Sequence, residues 1–302
     1  MILVSRSSLI LPTQQINNMD YINYVKESPI SMIGTGGLVN SFNFYSAGAA
    51  TGPRAVWGGG QGQYGNKNTI QFITISSPGN ASDFGDLDYG ARRWLAGCSN
   101  GSRGLFGGGY NVNNISYITI ATESNSQDFG DLVMQRYALG SCSSNTRGIF
   151  GGGTSGGGDT YSTSVQYITI ASTGNSQDFG DLTVGSRLMG GCDNDTRACY
   201  AGGQISSPNY GNQIDYFTIA STSNATDFGD LVNDKSGGMA GGADSDHGVT
   251  GIDRGVFGGG YSGDTPPYQN TIQYITISNT SNATDFGDLA VAVWISGCVA
   301  GL

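Results

Sequence analysis

The sequence repeats one five-residue motif, DFGDL, at a fixed distance from an apolar segment that contains an aromatic residue. The motif stands at 83–87, 128–132, 178–182, 227–231 and 285–289. In all five copies the first Asp follows, by eleven residues, the aromatic residue of a YITI-type segment. These aromatic residues are Phe72, Tyr117, Tyr167, Tyr216 and Tyr274. Because periods of about 40 to 50 residues with several short strands are typical of β-propellers and related arrays, this spacing restricts the fold more than any other feature.

A second motif, an arginine followed by apolar or small residues and a run of glycines, precedes each YITI-type segment. Its copies are RAVWGGG (54–60), RGLFGGG (103–109), RGIFGGG (147–153), RACYAGG (197–203) and RGVFGGG (254–260). A small-residue stretch containing Cys stands before three of them, at 96–102, 141–146 and 191–196. Each unit thus holds four strand candidates. In order, they are the small-residue stretch with Cys (the GC strand), the motif that begins with Arg and ends in glycines (the FGGG strand), the YITI-type segment and the DFGDL motif. No long segment has apolar residues at helical spacing, so the sequence predicts an all-β fold.

A degenerate sixth copy is recognisable near the N-terminus. In MDYINYV (19–25), Tyr21 takes the aromatic position, Gly34 follows at the distance of the DFGDL glycine, and Arg6 precedes as in the other units. The sequence ends at ISGCVAGL (295–302), a GC-type strand. An open solenoid would need capping repeats. We therefore predict one domain over 1–302, a six-bladed propeller closed by the C-terminal strand, with blade 1 formed from about 1–40 plus 290–302.

The repeated residues suit the packing of sheets around a ring. The aromatic residues are expected between blades, and the glycines near the axis, where a Cβ atom does not fit. The two Asp of DFGDL are expected to accept backbone N–H bonds in a turn in which Gly takes a positive φ. Paired catalytic carboxylates are the alternative, but five copies would then mean five active sites.

The low charge content excludes some partners. Lys and Arg number 13 against 23 Asp and Glu, giving a net charge of −10, and charged residues make up 12% of the chain. Because phosphate binding relies on Lys and Arg, we expect no nucleic-acid partner and no anionic membrane. No apolar run approaches the 18 or so residues of a membrane span. The N-terminal stretch lacks the features of a signal peptide.

Two motifs resemble catalytic sequences without their context. The tripeptide DFG recurs five times without the other protein-kinase motifs. The segments at 151–156 and 258–263 fit G-x-G-x-x-G, but no following helix is visible. We therefore predict that the chain is not an enzyme, with no catalytic residue and no cofactor.

A metal site is not expected either. His247 is the single histidine, which excludes a multi-histidine metal site. The loop around it holds Asp244, Asp246 and Asp253, a loose calcium-like pattern without the final Glu of an EF-hand. Whether the loop at 244–253 binds a cation stays open at this point.

The cysteines are expected to be free. Cys98, Cys142, Cys192 and Cys298 take equivalent positions, one per unit. Equivalent strands of neighbouring sheets lie about 10 Å apart, beyond the reach of a disulfide. We expect these side chains, and that of Cys199, to be small apolar groups of the core.

The order GC, IFGGG, QYITI and DFGDL, with an Arg before the glycines, resembles the kelch repeat. This resemblance implies a β-propeller, commonly six-bladed and closed by a C-terminal inner strand. Phe in the usual Trp position and a third Gly depart from the pattern. The segments TRGIFGGG (146–153) and VQYITIASTGNSQDFGDLT (165–183) are similar to repeats of kelch-like virion proteins of tailed bacteriophages of marine and cyanobacterial hosts. That resemblance implies a component of the extracellular particle, made in the host cytoplasm, in a tail, a fibre or the capsid surface.

The variable loops are the candidate binding surface. Because strands alternate in direction, the FGGG-to-YITI loops and the DFGDL-to-GC linkers share one face, which we call the loop face. Six loop tyrosines are predicted to stack on sugars or to anchor a partner. They are Tyr64, Tyr110, Tyr161, Tyr210, Tyr261 and Tyr268. The alternative is that they only pack their own loops.

The predicted function is a non-enzymatic structural and binding module of a virion. Its partners would be other virion proteins or host-surface carbohydrate, as in host attachment. The alternatives are a carbohydrate-active enzyme or lectin on a propeller scaffold, and an intracellular scaffold of the kelch type. The ligand, the oligomeric state and the position in the particle stay open.

Overall fold

A computed structural model describes residues 30–33, 41–44, 54–62, 65–74, 77–155, 160–233, 236–237, 240–243, 253–293 and 299–301. Throughout these ranges the regular structure is β and no helix is present. Accordingly, no helix of the length and hydropathy needed to cross a bilayer occurs among them.

The strands follow the predicted motifs closely. The first eleven are β1 (Ile30–Ile33), β2 (Ser41–Phe44), β3 (Arg54–Gly58), β4 (Gln61–Gly62), β5 (Gly65–Asn66), β6 (Thr69–Thr74), β7 (Ser82–Asp86), β8 (Ala96–Ser99), β9 (Arg103–Gly107), β10 (Asn114–Thr119) and β11 (Gln127–Asp131). The next eight are β12 (Gly140–Ser143), β13 (Arg147–Gly151), β14 (Ser164–Thr169), β15 (Gln177–Asp181), β16 (Gly190–Asp193), β17 (Arg197–Ala201), β18 (Gln213–Thr218) and β19 (Thr226–Asp230). The last are β20 (Ala240–Ala243), β21 (Arg254–Gly258), β22 (Gln269–Thr276), β23 (Thr284–Val293) and β24 (Val299–Gly301).

These strands form five blades of a β-propeller. Four blades are four-stranded antiparallel sheets in simple sequence order: β8 to β11, β12 to β15, β16 to β19 and β20 to β23. The first blade is the three-stranded sheet β3-β6-β7, with the small hairpin β4–β5 beside it. The unit order GC, FGGG, YITI and DFGDL is therefore the strand order of a blade. The prediction of an all-β propeller is confirmed, with five blades described.

A further three-stranded sheet joins the two ends of the chain. Its order is β2-β1-β24, and both pairings are antiparallel. In the second pairing, Ile30 stands opposite Gly301. β1 and β24 lie against β20, whereas β2 lies against β8. Arg6, Tyr21 and Gly34, on which the sixth unit is based, lie outside the described residues, and so does most of the segment assigned to blade 1. Residues 290–293 continue β23.

Neighbouring blades share one repeated apolar core. Between the second and third blades, Phe129 and Leu132 of one sheet pack with Phe150, Ile168 and Ile170 of the next, and all five are buried. The other three described interfaces place residues of the same strands in the same arrangement. The aromatic residue of each YITI strand adds an edge-to-face contact with the DFGDL Phe, at centroid distances of 5.8–6.0 Å. The phenylalanines Phe84, Phe129, Phe179 and Phe228 are buried between blades, as predicted, whereas Phe286 is 56% exposed.

In four of the five described blades, the arginine that opens the FGGG strand latches its blade to the next one. The Arg147 guanidinium lies 4.6 Å from the ring centroid of Tyr167 and donates to the Ile219 carbonyl of the following blade at 2.8 Å. The same pair of contacts recurs at three other blades, where the arginines Arg54, Arg103 and Arg197 donate to the carbonyls of Ile120, Ile170 and Ile277 at 2.9–3.1 Å. Because the guanidinium is planar, it can stack on a ring and still direct its N–H groups sideways. The recurring geometry explains why the motif begins with Arg.

An asparagine forms a second repeated link between blades. The Asn175 side chain accepts the Asp131 N–H at 3.0 Å, and the Ser176 N–H donates to the Asp131 carbonyl at 2.8 Å. The same clasp recurs at three more interfaces, where Asn125, Asn224 and Asn282 accept from the second Asp of the preceding DFGDL at 2.9–3.1 Å. Where the other units have this Asn, eight residues after the aromatic anchor, the degenerate unit has Pro29.

The structure departs from the sequence interpretation at β1. The repeat alignment places Ile33 in the outermost, DFGDL strand, but β1 pairs directly with the C-terminal strand β24.

The DFGDL carboxylates and glycine have local roles. Asp227 accepts the N–H of Gly229 at 3.1 Å, and Asp285 accepts that of Gly287 at 3.2 Å. These bonds and the positive φ of both glycines agree with the prediction, but the segments lie in strands β19 and β23 and not in turns. Gly130 has φ of +141° beside a register shift in the β10–β11 pair, and a Cβ there would stand 2.5 Å from the carbonyl oxygen of Gly174. This position therefore needs Gly for its conformation and for the close approach of the next blade. In the FGGG motif the crowding comes from the neighbouring blade, because a Cβ on Gly107 would overlap the Phe150 ring.

The described cysteines are free and buried, as predicted. They are Cys98, Cys142, Cys192 and Cys199. Burial raises the thiol pKa of the first three above the ordinary value, so these groups stay protonated and apolar. Cys298 lies outside the described residues.

We expect Gly130→Ala to destabilise the chain by about 2–4 kcal/mol, since overpacking and a strained φ each cost about 1–3 kcal/mol. Urea unfolding measures this free energy. Gly79→Ala is the matched control, because a Cβ at Gly79 meets no atom within 4 Å. Equal effects of the two substitutions would mean that the close blade approach is not a constraint.

A double-mutant cycle of Arg147→Lys and Tyr167→Leu tests the arginine latch. We expect a coupling energy of about 0.5–1 kcal/mol, because lysine keeps the charge but loses the planar stack on the ring. Equilibrium unfolding of the four proteins gives the coupling. A coupling near zero would show that the stack contributes nothing.

Candidate functional site

The loop face is built from linkers and loops that hydrogen-bond to one another. The Tyr110 N–H donates to the Arg93 carbonyl at 3.0 Å, and the Gly109 N–H donates to the Arg136 carbonyl at 2.9 Å. In each pair one partner follows an FGGG strand and the other lies in a DFGDL-to-GC linker. The two sets of connections therefore share one face, as the strand directions predict.

The structure distributes the six predicted tyrosines unevenly over this face. Tyr110 is 38% exposed and Tyr268 is 50% exposed, whereas Tyr161 is buried. Tyr210 and Tyr261 are half-buried. Tyr64 lies outside the described residues. The structure brings Tyr210, Tyr261 and Tyr268 together and places Tyr110 in a separate group.

That separate group, called the Trp94 patch, consists of Arg93, Trp94, Tyr110 and Tyr137. Trp94 stacks on Tyr137 with centroids 5.1 Å apart and contacts Tyr110 edge-on at 5.7 Å. The Arg93 guanidinium lies over the rings of both Trp94 and Tyr110, at 4.4 and 4.9 Å. The patch therefore presents two partly exposed aromatic rings beside one cation.

The second group, called the Tyr261 patch, consists of Tyr210, Tyr261 and Tyr268. Their ring centroids follow one another at 5.3 and 5.9 Å. Tyr268 is held in place because its backbone pairs with that of Tyr261. Burial and the neighbouring Tyr261 raise the pKa of Tyr210, and the nearby Arg187 opposes this shift. Arg187 itself lies over the ring of Tyr161 at 4.7 Å.

The linkers that carry the Trp94 patch are joined into a chain by backbone hydrogen bonds. Trp94, Ala138 and Leu188 take equivalent positions, each with a left-handed φ of 58–63°. The Ala138 N–H donates to the Trp94 carbonyl and the Leu188 N–H to the Ala138 carbonyl, both at 2.9 Å. A bulky residue in this conformation costs about 1–3 kcal/mol and persists only where its surroundings fix it. Trp94 is therefore a preorganised side chain.

Buried arginines support the linkers from beneath. The Arg92 guanidinium donates to the Asn114 carbonyl at 2.9 Å and to the Ser116 hydroxyl. Burial lowers the pKa of Arg92 to about 10, partly offset by Asp88, so the group stays charged at neutral pH. Arg136, its equivalent in the next linker, donates to the Gly152 carbonyl at 3.1 Å.

Polar side chains of the YITI strands hold the linkers of the preceding blade. Gln166 accepts the Val133 N–H at 2.8 Å, and Gln273 accepts the Val232 N–H at 2.6 Å. Asp215 takes the same position and accepts both the N–H and the hydroxyl of Thr183, at 2.9 and 2.7 Å. Burial raises the pKa of Asp215, and the bonds from Thr183 oppose this shift.

Exposed apolar side chains of the described residues concentrate on the loop face. Those in its linkers and loops are Tyr89, Tyr110, Val133, Met134, Val184, Val232 and Tyr268. The remaining two, Phe286 and Val291, lie on β23. On the opposite face, the described GC-to-FGGG turns and YITI-to-DFGDL loops carry polar and small residues. The two faces therefore differ sharply in polarity.

Sequence reasoning missed Arg93, Trp94 and Tyr137, because these residues lie in linkers that differ between units. Aligning the segments ARRWLAG, QRYALGS and GSRLMGG would have placed all three at the same two linker positions. Within the described part of the chain, no group of three His, Cys, Asp or Glu residues could hold a metal ion. The arrangement can stack on rings and apolar groups and can pair with an anionic group.

We expect the free energy of unfolding of the Asp215→Asn variant to exceed that of the native protein by an amount that grows as the pH rises. A raised folded-state pKa means that Asp215 contributes fully below its unfolded pKa of about 3.9, and this contribution is lost as pH rises through the folded pKa. The variant cannot ionise and retains an acceptor for Thr183. Unfolding free energies of both proteins between pH 3 and 8 measure the difference, at about 1.4 kcal/mol per unit of pKa shift. If the unfolding free energies of the two proteins differed by the same amount at every pH in this range, burial would not raise the pKa of Asp215.

Comparisons with known proteins show the fold. No protein-family model and no curated protein matches the chain. Among solved structures, that of YjhT is similar, with 9% sequence identity, coverage of 77% of this chain and 81% of its own, and a TM-score of 0.61. The chain and that propeller are alike in fold.

Proposed function

We propose that the chain is a non-enzymatic binding module of a phage virion and that it holds its partner through the loop face. The observation that carries this proposal is the difference between the faces. Exposed aromatic and aliphatic side chains recur on the linkers and loops of one face, while the other is polar. Large exposed apolar surfaces are typical of interaction sites.

The two patches suit a partner with flat apolar groups. Trp94 and Tyr110 offer ring faces to the pyranose ring of a glycan or to apolar side chains of a neighbouring virion protein. Arg93 adds a charge that could pair with a carboxylate. Because left-handed backbone and stacked rings already fix Trp94, little conformational entropy would be lost on binding.

A non-enzymatic role fits the chemistry of the repeated carboxylates. Asp227 and Asp285 accept backbone N–H groups of their own strand, a local role that requires no catalysis. A lectin would use the same patches and differs from the first proposal only in its ligand. A carbohydrate-active enzyme would need two non-repeated carboxylates about 5–9.5 Å apart in one cleft.

The kelch-like identity is also proposed. It rests on the strand order of the unit and on the stacking of the FGGG arginine on the YITI aromatic, seen for example in Arg147 over Tyr167. The virion assignment rests on the similarity of the repeat sequences to those of kelch-like phage virion proteins. A six-bladed ring is supported by the uncovered apolar surfaces at the two ends of the row of described blades, where Phe286 and Trp57 lie.

We expect Trp94→Ala and Tyr268→Ala each to weaken partner binding by about 30-fold, the effect of losing an interface anchor worth about 2 kcal/mol. Thr173→Ala, an exposed residue of the opposite face, is the control and should bind normally. The measurements are host adsorption by virions carrying each variant, incorporation of the chain into purified virions, and binding of the isolated chain to a glycan array.

Absence of the chain from purified virions would contradict the virion assignment. Normal adsorption and incorporation with both aromatic variants would contradict the choice of face. Turnover of a glycan by the isolated chain would favour the enzymatic alternative.

A further inference from the structure

Two arginines take equivalent positions in the linkers of the loop face, but their donors are used differently. Arg93 and Arg187 each stand directly before a residue in a left-handed conformation, Trp94 and Leu188. The Arg187 Nε donates to the side-chain oxygen of Gln204 at 2.9 Å. The Arg93 Nε is buried and donates to no group within the described part of the chain. Because a buried donor without an acceptor is costly, Arg93 is a cation whose hydrogen-bonding capacity the fold leaves unused.

The residue that faces each arginine explains the difference. Tyr110 and Gln204 stand at the same place, because the backbone N–H of each donates to the carbonyl of its linker arginine, at 3.0 and 2.8 Å. Where Gln204 offers an amide oxygen, Tyr110 offers a ring. The Arg93 guanidinium lies 4.9 Å from the centroid of that ring and 4.4 Å from the centroid of the Trp94 ring. Stacking over two rings fixes the guanidinium plane and directs its terminal N–H groups, which lie in that plane, toward an acceptor outside the cluster.

The segments around the patch supply no negative charge to Arg93. The linkers at 87–95 and 132–139 and the loop at 108–113 hold the cations Arg92, Arg93 and Arg136 and one carboxylate, Asp88. Asp88 already accepts the hydroxyls of Ser116 and Ser126, and its charge raises the pKa of Arg92. An unpaired cation beside buried cations favours an anionic ligand, because complementary charge gives specificity.

We propose that the Trp94 patch binds an acidic sugar, with its carboxylate on Arg93 and its ring against Tyr110. This inference rests on the proposed function, because it names the ligand class of the same patch. Carboxylate oxygens match the in-plane donors of a guanidinium. The ring of Tyr110, which is 38% exposed, offers an apolar surface to the sugar. The adjacent Asn111 is also exposed, and its amide can pair with sugar hydroxyls.

Arg93 would then determine the specificity of the patch. A site built to pair with a polar group of its ligand discriminates strongly against an analogue that lacks this group, because the pairing is lost while the rest of the contact stays the same. A neutral sugar of the same shape could still cover Tyr110 but would leave Arg93 unpaired. The patch should therefore select for the acid rather than for the sugar ring alone.

Oligosaccharides of hexuronic acids and their carboxyl-reduced counterparts test the ligand class, because the members of each pair differ only in the charged group. We expect the full chain to bind at least one acid about 10- to 100-fold more tightly than its reduced counterpart, as for a hydrogen bond to a charged group. Calorimetric titration measures both affinities, and that for the acid should fall with added salt. Equal affinities in every pair, or no binding to any acid, would overturn the proposal.

Arg93→Gln should remove the preference for the acid. Arg187→Gln is the matched control, because it removes the same charge from the equivalent linker position, where Gln204 already uses the donor. Arg93→Lys keeps the charge without the planar donors and should retain part of the preference. Each preference compares two ligands on one protein, so a general loss of folding is not mistaken for a loss of selectivity. Equal losses in Arg93→Gln and Arg187→Gln would assign the preference to overall charge and overturn the proposal.

The proposed function and this inference can fail separately. Binding of neutral glycans that Trp94→Ala abolishes, with no preference for acids, would keep the binding module and overturn the acidic ligand. Poor incorporation of the Arg93→Gln chain into virions, without affinity for any acidic sugar, would indicate an acidic protein partner and would also overturn it. An acid preference that depends on Arg93, in a chain absent from purified virions, would support the ligand class and contradict the virion assignment.

Discussion

The structure depends on an arginine that is shared between two blades. In each described latch, the guanidinium stacks on the aromatic residue of its own sheet and donates to a carbonyl of the next, as Arg147 does with Tyr167 and Ile219. A charged side chain is costly to bury unless its donors are satisfied. The latch meets this requirement only when the two sheets stand at one distance and in one register, so it converts a row of separate sheets into a defined array.

The close blade spacing explains two of the repeated residue choices. Gly130 is needed because the backbone of the next blade passes within contact distance, and Asn175 is needed because it joins that backbone across the interface. The same spacing brings successive linkers into hydrogen-bonding distance, which fixes Trp94 and Ala138 in left-handed conformations. The rigid, aromatic loop face is thus a consequence of how the blades pack.

Repeated residues could be predicted from the sequence, and residues that vary between units could not. The strand order and the burial of Phe129 follow from spacing that recurs in every unit. The linker position of Trp94 is occupied by Ala138 and Leu188 in the next two units, so no residue type recurs there to identify it in the sequence. Tyr161 belongs to a loop expected to be exposed, but its ring is buried and lies against Arg187 of the following linker. Only three-dimensional contacts distinguish it from Tyr268.

Native-state hydrogen exchange, followed by mass spectrometry, tests most directly whether the latches join the blades into one cooperative unit. We predict that the YITI strands β10, β14 and β18 open together with the same free energy, because the loss of one blade uncovers the Phe and the carbonyl acceptor of its neighbours. Blades that open one after another, with free energies that differ by several kcal/mol, would contradict the central role of the arginine latch.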